Sequence, residues 1–242
     1  MRVALVCIAK NEENYLQEWV SYYKKLGFTN VFIYENNWRS NLFDDNKFVI
    51  KIPFDGETQQ LNSYNNFVKY HGKDYDWAAF FDVDEFLVLK KHNNISDFLL
   101  DYKDYSSVAI NWVLFGDNNH TSVVGNNYSV LERFTKRQIG VDKHIKTICK
   151  MSANPNFRSP HNPDNLTWVD TNYNTGSGSF NENGLDNVAQ LNHFFTKTKE
   201  EFKSKIDRGR SDIKNFRNLS EFDPHNINEI EDLTALKFIQ EK

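Results

Sequence analysis

The sequence predicts an α/β fold: a mixed, mostly parallel central sheet flanked by helices and closed by a C-terminal helical tail. Three observations predict it. The chain opens strand, polar loop, helix, strand, with polar residues just past both strand ends. Its apolar runs are continuous rather than alternating, as in strands covered on both faces. Its 242 residues suit one domain with a short appendage. We place the domain at 1–210 and the tail at 211–242, with no internal repeat.

Residues 2–9 are a short apolar run that stops at polar residues, a buried strand. Lys10-Asn11-Glu12-Glu13-Asn14 is polar and opens a helix, with Asn11 a candidate cap. From Tyr15 onward, Leu16, Trp19, Val20, Tyr23 and Leu26 keep helical spacing, and Gly27 supplies the stop. Val31-Phe32-Ile33-Tyr34 is a second strand, followed by polar Glu35-Asn36-Asn37. Residues 47–54 form a third strand ending near Pro53, and Gln59–His71 a helix with Leu61, Tyr64, Phe67 and Val68 on one side. Trp77–Phe81 is a fourth strand running into Asp82-Val83-Asp84-Glu85 and then Phe86–Leu89. Ile95–Tyr102 reads as a helix, Ser107–Phe115 as a strand and 116–127 as a loop. Short strands alternate with polar stretches over 128–160, and 162–187, rich in Asn, Gly, Ser and Asp, read as loop. Gln190–Phe195 is strand-like; 198–209 and 228–241 read as helices. In open α/β sheets ligands sit beyond the carboxyl ends of the strands, which draws attention to the polar residues there.

Composition narrows the function. Hydrophobic residues at 39% and charged residues at 26% fit a soluble globular protein. A net charge of −4 argues against a generally basic nucleic-acid binder. Cys7 and Cys149 lie far apart and have no metal-ligand spacing, which argues against a disulfide framework and a cysteine zinc site. The apolar run at the N-terminus is too short for a membrane span or a signal peptide, so a cytoplasmic location is the simplest expectation. The chain has no Gly-x-x-x-x-Gly-Lys-Ser/Thr loop, no Gly-x-Gly-x-x-Gly and no Gly-x-Ser-x-Gly. P-loop enzymes, dinucleotide dehydrogenases and serine hydrolases are thereby disfavoured.

The main chemical signal is Asp82, Asp84 and Glu85 at the end of a core strand. Like charges this close are costly without a cation or a shifted pKa. Carboxylates with no paired Cys or His nearby suit a hard ion such as Mg²⁺ or Mn²⁺. Such an ion at a sheet end bridges phosphate oxygens and neutralises a leaving diphosphate.

Several segments together carry a resemblance. They are Ala9-Lys10-Asn11-Glu12, Tyr15-Leu16-x-Glu18-Trp19, Leu26-Gly27-Phe28, Tyr34-Glu35-Asn36-Asn37 and Phe81-Asp82-Val83-Asp84-Glu85-Phe86. Further along come Trp112-x-x-Phe115-Gly116, Lys146-Thr147-Ile148, His161-x-Pro163, Asn192–Thr198 with Glu201-Phe202-x-x-Lys205, and Arg208-Gly209-Arg210. In this order and spacing the chain resembles the GT-A-fold glycosyltransferases. More narrowly, it resembles the family-2-like bacterial enzymes related to glycosyltransferase family 92. The resemblance covers about residues 3–210.

That resemblance implies a Rossmann-like GT-A domain using Mn²⁺ or Mg²⁺ and a nucleotide-sugar donor, UDP-linked, with a glycan or glycolipid acceptor. It implies a role in bacterial surface polysaccharide or lipopolysaccharide synthesis and peripheral contact with the inner membrane surface. The donor would lie over Lys10, Asn11 and Glu12 at the first strand end and Glu35 and Asn36 at the second, with Glu35 on the ribose hydroxyls. Asp82 and Asp84 would hold the metal, completed by His161 or His193, with His161 preferred. Lys146, Arg208 and Arg210 are diphosphate candidates, the last two alternatively meeting anionic lipid or an acidic glycan. Trp112 is an acceptor-site platform, with His120 near it. An inverting reaction needs one general base: Asp117 is the first candidate, with Glu85 and His120 as alternatives. A nucleotidyltransferase and a catalytically inactive glycan-binding module are the competing readings.

Overall fold

The computed structural model describes residues 1–212, 214 and 217–241. Residues 213, 215, 216 and 242 of the predicted tail lie outside the described residues. In chain order the elements are β1 (Val3–Ala9), α1 (Glu13–Lys25), β2 (Asn30–Glu35), β3 (Val49–Pro53), α2 (Gln60–Tyr70), β4 (Trp77–Phe80) and β5 (Glu85–Leu89). There follow α3 (Ile95–Leu100), β6 (Ser107–Leu114), α4 (Val130–Arg133), β7 (Lys136–Arg137), β8 (Ile145–Lys150), β9 (Trp168–Val169) and β10 (Thr175–Gly176). The chain closes with β11 (Ala189–His193), α5 (Lys199–Asp207), α6 (Phe222–His225), β12 (Ile230–Glu231) and α7 (Thr234–Gln240).

The sheet runs β10-β9-β6-β8-β4-β1-β2-β3, with β11 added beside β6 and β5 beside β11. Strand β1 is parallel to β2 and to β4, and β2 is parallel to β3. Strand β8 runs against both β4 and β6, so β6 points the same way as β4. Strand β11 is parallel to β6 and antiparallel to β5. The carboxyl ends of β1, β2, β4, β6 and β11 therefore share one edge. The chain winds from β1 outward through β2 and β3, then returns to place β4 on the other side of β1. The gap between β1 and β4 is thus a topological switch point, where open α/β sheets bind ligands.

Helix α1 fixes the turn that follows β4. Its Trp19, Tyr22 and Tyr23 are almost wholly buried. The Trp19 indole N–H and the Tyr23 hydroxyl each donate to the Glu85 carbonyl at 2.9 Å, and the Tyr22 hydroxyl donates to the Leu87 carbonyl at 2.8 Å. These polar tips are satisfied inside an aromatic cluster, which buried tyrosine and tryptophan require. The acidic turn is therefore held by the core beneath it.

A second clasp sets α5. Thr198 and Glu201 form a capping box at its N-terminus. Glu201 also accepts two bonds from the Arg133 guanidinium, at 2.7 and 2.9 Å, and one from the Tyr15 hydroxyl at 2.8 Å. Burial opposes its charge, but Arg133 and Thr198 bring its carboxyl down to about 2. A depressed carboxylate contributes stability that is complete above its unfolded value, about 4.3, and is lost as pH falls through the folded value. Glu201→Gln should therefore flatten the fall of the melting temperature between about pH 4.5 and pH 2.5, as differential scanning calorimetry will read.

Three expectations are corrected. The predicted helix 228–241 begins only at Thr234, because Ile230–Glu231 pairs antiparallel with β7. Within 128–160 a short helix, α4, stands where strands were expected. Ser129 caps it by accepting from the Glu132 N–H. The expected Asn11 cap on α1 is absent: Glu12 occupies that position, and its side chain makes no cap bond. Helix α7 packs back on the main core, with Ala235 buried and Phe238 edge-on to Tyr22. No described helix is long and apolar enough to cross a membrane.

Candidate active site

A cleft of about 290 Å³ opens at the switch point. Its walls are the end of β1 and the residues after it (Ala9, Lys10, Glu12), the turn after β4 (Asp82, Val83, Asp84), Trp112 in β6, His144 just before β8, Lys146 in β8, and His193 at the end of β11. Residues 205–212, with Arg217, form its far side.

Asp82 and Asp84 belong to a turn rather than an extended strand. The Glu85 N–H donates to the Asp82 carbonyl at 3.0 Å, and the Glu85 carboxyl accepts from the Asp82 N–H at 2.8 Å. The turn sends the two aspartates to different partners. Asp82, one-third exposed, accepts from the Gln60 amide at 2.7 Å and from Lys146 Nζ at 2.9 Å. Asp84 is buried and accepts from Lys205 Nζ at 2.6 Å, with Lys197 Nζ at 3.7 Å. Burial opposes the charge on Asp84, but Lys205, Lys197 and His193 hold its carboxyl well below the usual range. Lys205 is pushed down to about 7 by burial, against the pull of Asp84. Glu85 lies wholly buried beneath the cleft. Burial raises its carboxyl well above the usual range, with Lys146 opposing from 3.6 Å.

His193 faces Asp84, with Nε2 at 3.6 Å from Asp84 Oδ1. Two donors each about 2.1 Å from one divalent ion can stand at that separation. Burial lowers the His193 pKa, favouring the neutral imidazole that metals bind. Among the described residues no three His, Cys, Asp or Glu groups are gathered to hold an ion. The pair Asp84–His193 would supply two ligands to such an ion and leave its remaining positions to phosphate oxygens and water. His161 sits elsewhere on the wall. Its Nδ1 donates to the Ile145 carbonyl at 2.8 Å, and burial with the nearby Lys146 charge pushes its pKa down to about 4. The structure thus brings His193, not the preferred His161, to the aspartate.

The cleft is lined by cations and acids in nearly equal number, most of them paired. Arg208 is paired with Glu12 and donates to the Lys10 carbonyl at 3.1 Å, while Lys10 Nζ donates to the Arg208 carbonyl at 2.8 Å. Arg210 pairs with Asp212 through two of its nitrogens, Nε and Nη2. The basic run therefore lines the cleft. Asn11 instead borders a neighbouring hollow of about 410 Å³, which shares Lys205 and Arg208 with the cleft.

Other expected residues lie outside the cleft. Asp117 is spent on a turn: its Oδ1 accepts from the Asn119 N–H at 2.8 Å and from the Asn228 amide at 3.2 Å. His120 is exposed and edge-on to Phe134. Glu35 is buried and accepts from the Ser40 N–H at 3.1 Å, and Asn36 ties down the next loop by donating to the Phe54 and Gly56 carbonyls at 2.9 Å. Trp112 does line the cleft, but His144 stacks on its ring at 5.0 Å and His193 contacts it at 4.2 Å, so it is not an open sugar platform.

A profile of glycosyltransferase family 92 matches residues 58–232. The chain belongs to glycosyltransferase family 92. A family 92 protein of Ricinus communis is 26% identical over 114 residues, covering 41% of this chain and 20% of that protein. The family 92 chain described here thus spans about a fifth of that relative's length. The crystal structure of S. aureus TarS aligns with a TM-score of 0.38 at 13% identity, covering 63% of this chain and 29% of that one.

Sequence reasoning assigned no role to Gln60, Lys197, Asp142 or His144. The signal for His144 was present. It stands two residues before Lys146, so period-two alternation in extended chain puts both on one face, His144 just ahead of β8.

Proposed function

We propose that this family 92 chain transfers a sugar from a nucleotide-diphosphate donor, UDP-linked, to a glycan or glycolipid hydroxyl. The observation that carries the proposal is the convergence of Lys146, Lys205 and Arg208 with Asp84 and His193 at the switch point between β1 and β4. Asp84 and His193 would hold a divalent ion, with Asp82 beside them, and that ion would neutralise charge developing on the leaving diphosphate. Lys146, Lys205 and Arg208 would meet the phosphate oxygens directly. Family membership favours glycosyl transfer over nucleotidyl transfer and over a pure binding module.

Direct displacement with inversion at the anomeric carbon is the mechanism the cleft supports. The acids lining it are engaged with cations: Glu12 with Arg208, Asp82 with Lys146, Asp84 with Lys205, Asp212 with Arg210 and Glu221 with Arg217. Among the described residues, none of the lining acids stands without a cationic partner as a covalent nucleophile would.

The test is a thermal-shift series with nucleoside diphosphates, with and without Mn²⁺. UDP should raise the melting temperature only when Mn²⁺ is present, since a ligand of the folded state alone stabilises it. His193→Ala should remove most of that shift and His161→Ala should keep it. Stabilisation by UDP that ignores Mn²⁺, or that depends on His161 alone, would contradict the ligand assignment.

A further inference from the structure

The base candidates that the sequence offers do not serve the proton-accepting step. Asp117 and His120 lie outside the cleft, and Glu85 is buried beneath it. His161 faces the cleft, but a group with a pKa near 4 is a weak base at neutral pH.

One pair on the cleft wall has a different character. His144 Nδ1 lies 2.6 Å from Asp142 Oδ1, and the same oxygen accepts from the His144 N–H at 2.8 Å. A carboxylate only accepts here, so Nδ1 carries the proton and Nε2 presents a lone pair. Nε2 meets no partner among the described residues, and the His144 side chain is one-third exposed. The pair is rigidly built. The Asp142 N–H donates to the Trp112 carbonyl at 2.8 Å, and the Trp112 N–H donates to the His144 carbonyl at 2.9 Å. The Asn111 amide holds the Asp142 carbonyl at 2.9 Å. The imidazole lies between the stacked Trp112 ring and the edge-on Phe180 ring. Trp112 in turn touches His193, so the pair stands one aromatic ring away from the Asp84–His193 pair.

We propose that His144 is the general base of the transfer and that Asp142 is its positioning residue, an inference that rests on the nucleotide-sugar reading above. The acceptor hydroxyl gives its proton to His144 Nε2 as its oxygen attacks the anomeric carbon. The bond from that carbon to the diphosphate oxygen breaks, and its electron pair leaves with the nucleoside diphosphate. Asp142 holds the Nδ1 tautomer and stabilises the imidazolium, which then returns its proton to solvent. The charged and titratable groups facing this ring are Asp142 and His161. Lys143 is directed to Glu182 and the Phe180 ring.

The experiment uses the full chain with Mn²⁺ and three probes: UDP-glucose, UDP-galactose and UDP-N-acetylglucosamine, with water as acceptor. UDP release gives the rate, and calorimetric titration of UDP gives donor affinity. H144Q should lower the rate on the best donor by about 10²-fold or more, with UDP affinity within about twofold of wild type. D142N should lower the rate with UDP affinity within about twofold of wild type, and D142E should recover part of that loss. A purely packing role for Asp142 would give no such recovery. Wild-type turnover in H144Q, or a loss of UDP affinity equal to the loss of rate, overturns the base assignment alone. A wild-type protein that binds no UDP, or releases it from none of the three donors, overturns the nucleotide-sugar reading and the assignment with it.

Discussion

Asp84→Asn is expected to abolish Mn²⁺-dependent UDP binding while the protein stays folded. The substitution keeps volume and removes the charge that faces His193 at 3.6 Å. If Asp84 is the metal ligand proposed above, its loss should weaken UDP binding by on the order of 10²-fold or more, about 2.8 kcal/mol. Folding survives because Lys205, the closest partner at 2.6 Å, already sits near a pKa of about 7 and can shed its proton once the aspartate is gone. The measurement is calorimetric titration of UDP with Mn²⁺, beside a thermal melt of the same sample. Unchanged affinity in a folded variant would remove Asp84 from the ion site.

Lys146→Met should act in the opposite way, on the fold as well as the site. Lys146 is only 1% exposed and stands 2.9 Å from Asp82 and 3.6 Å from Glu85. Methionine fills the space but leaves two acids facing an apolar side chain. Breaking a buried pair from one side costs about 3–5 kcal/mol. The value should fall at the low end, because Glu85 can stay protonated. Urea denaturation should show a lower midpoint with an unchanged m-value. The urea midpoint of the double variant Lys146→Met/Glu85→Gln should recover part of the loss. A single variant as stable as wild type would mean that Lys146 is not the counter-ion of the acidic turn.

Much of the frame is legible in the residues. The strands β1, β2, β4 and β6 are continuous apolar runs, because both faces of the sheet are covered and no solvent face imposes alternation. Asp82 and Asp84 stand out because charge at the end of such a run has no packing explanation. Residues 162–187 are harder to read, since their order comes from polar side chains with no period. Asp170 accepts from the Asn172 and Asn174 N–H groups, and Asn181 bonds with Asn111 across the sheet edge. Gly184 lies so close to Asn111 that a Cβ there would stand 2.1 Å from its side-chain oxygen. What reads as a loop of Asn and Gly is a hydrogen-bonded cover beside Asn111, which also holds Asp142.

The site was harder to read than the frame, because its residues meet only in space. Lys205 reaches Asp84 across a separation of 121 residues, and Lys146 reaches Asp82 across 64. Asp117 looked suitable as a base because it follows the strand bearing Trp112. Its carboxylate is instead taken by Asn119 and Asn228, the latter in a segment that the recognised motifs do not cover. His144 and Asp142, two residues apart, carried the usable pattern.

The cleft between β1 and β4 is proposed to receive the diphosphate of a nucleotide sugar, and a paired calorimetric titration of UDP and UMP into the full chain with Mn²⁺ tests this. UDP should bind and UMP should bind at least tenfold more weakly, about 1.4 kcal/mol, because Lys146, Lys205 and Arg208 line the cleft and would meet a second phosphate. Equal affinity for the two nucleotides, or no binding of either, would mean that the cleft does not receive the diphosphate.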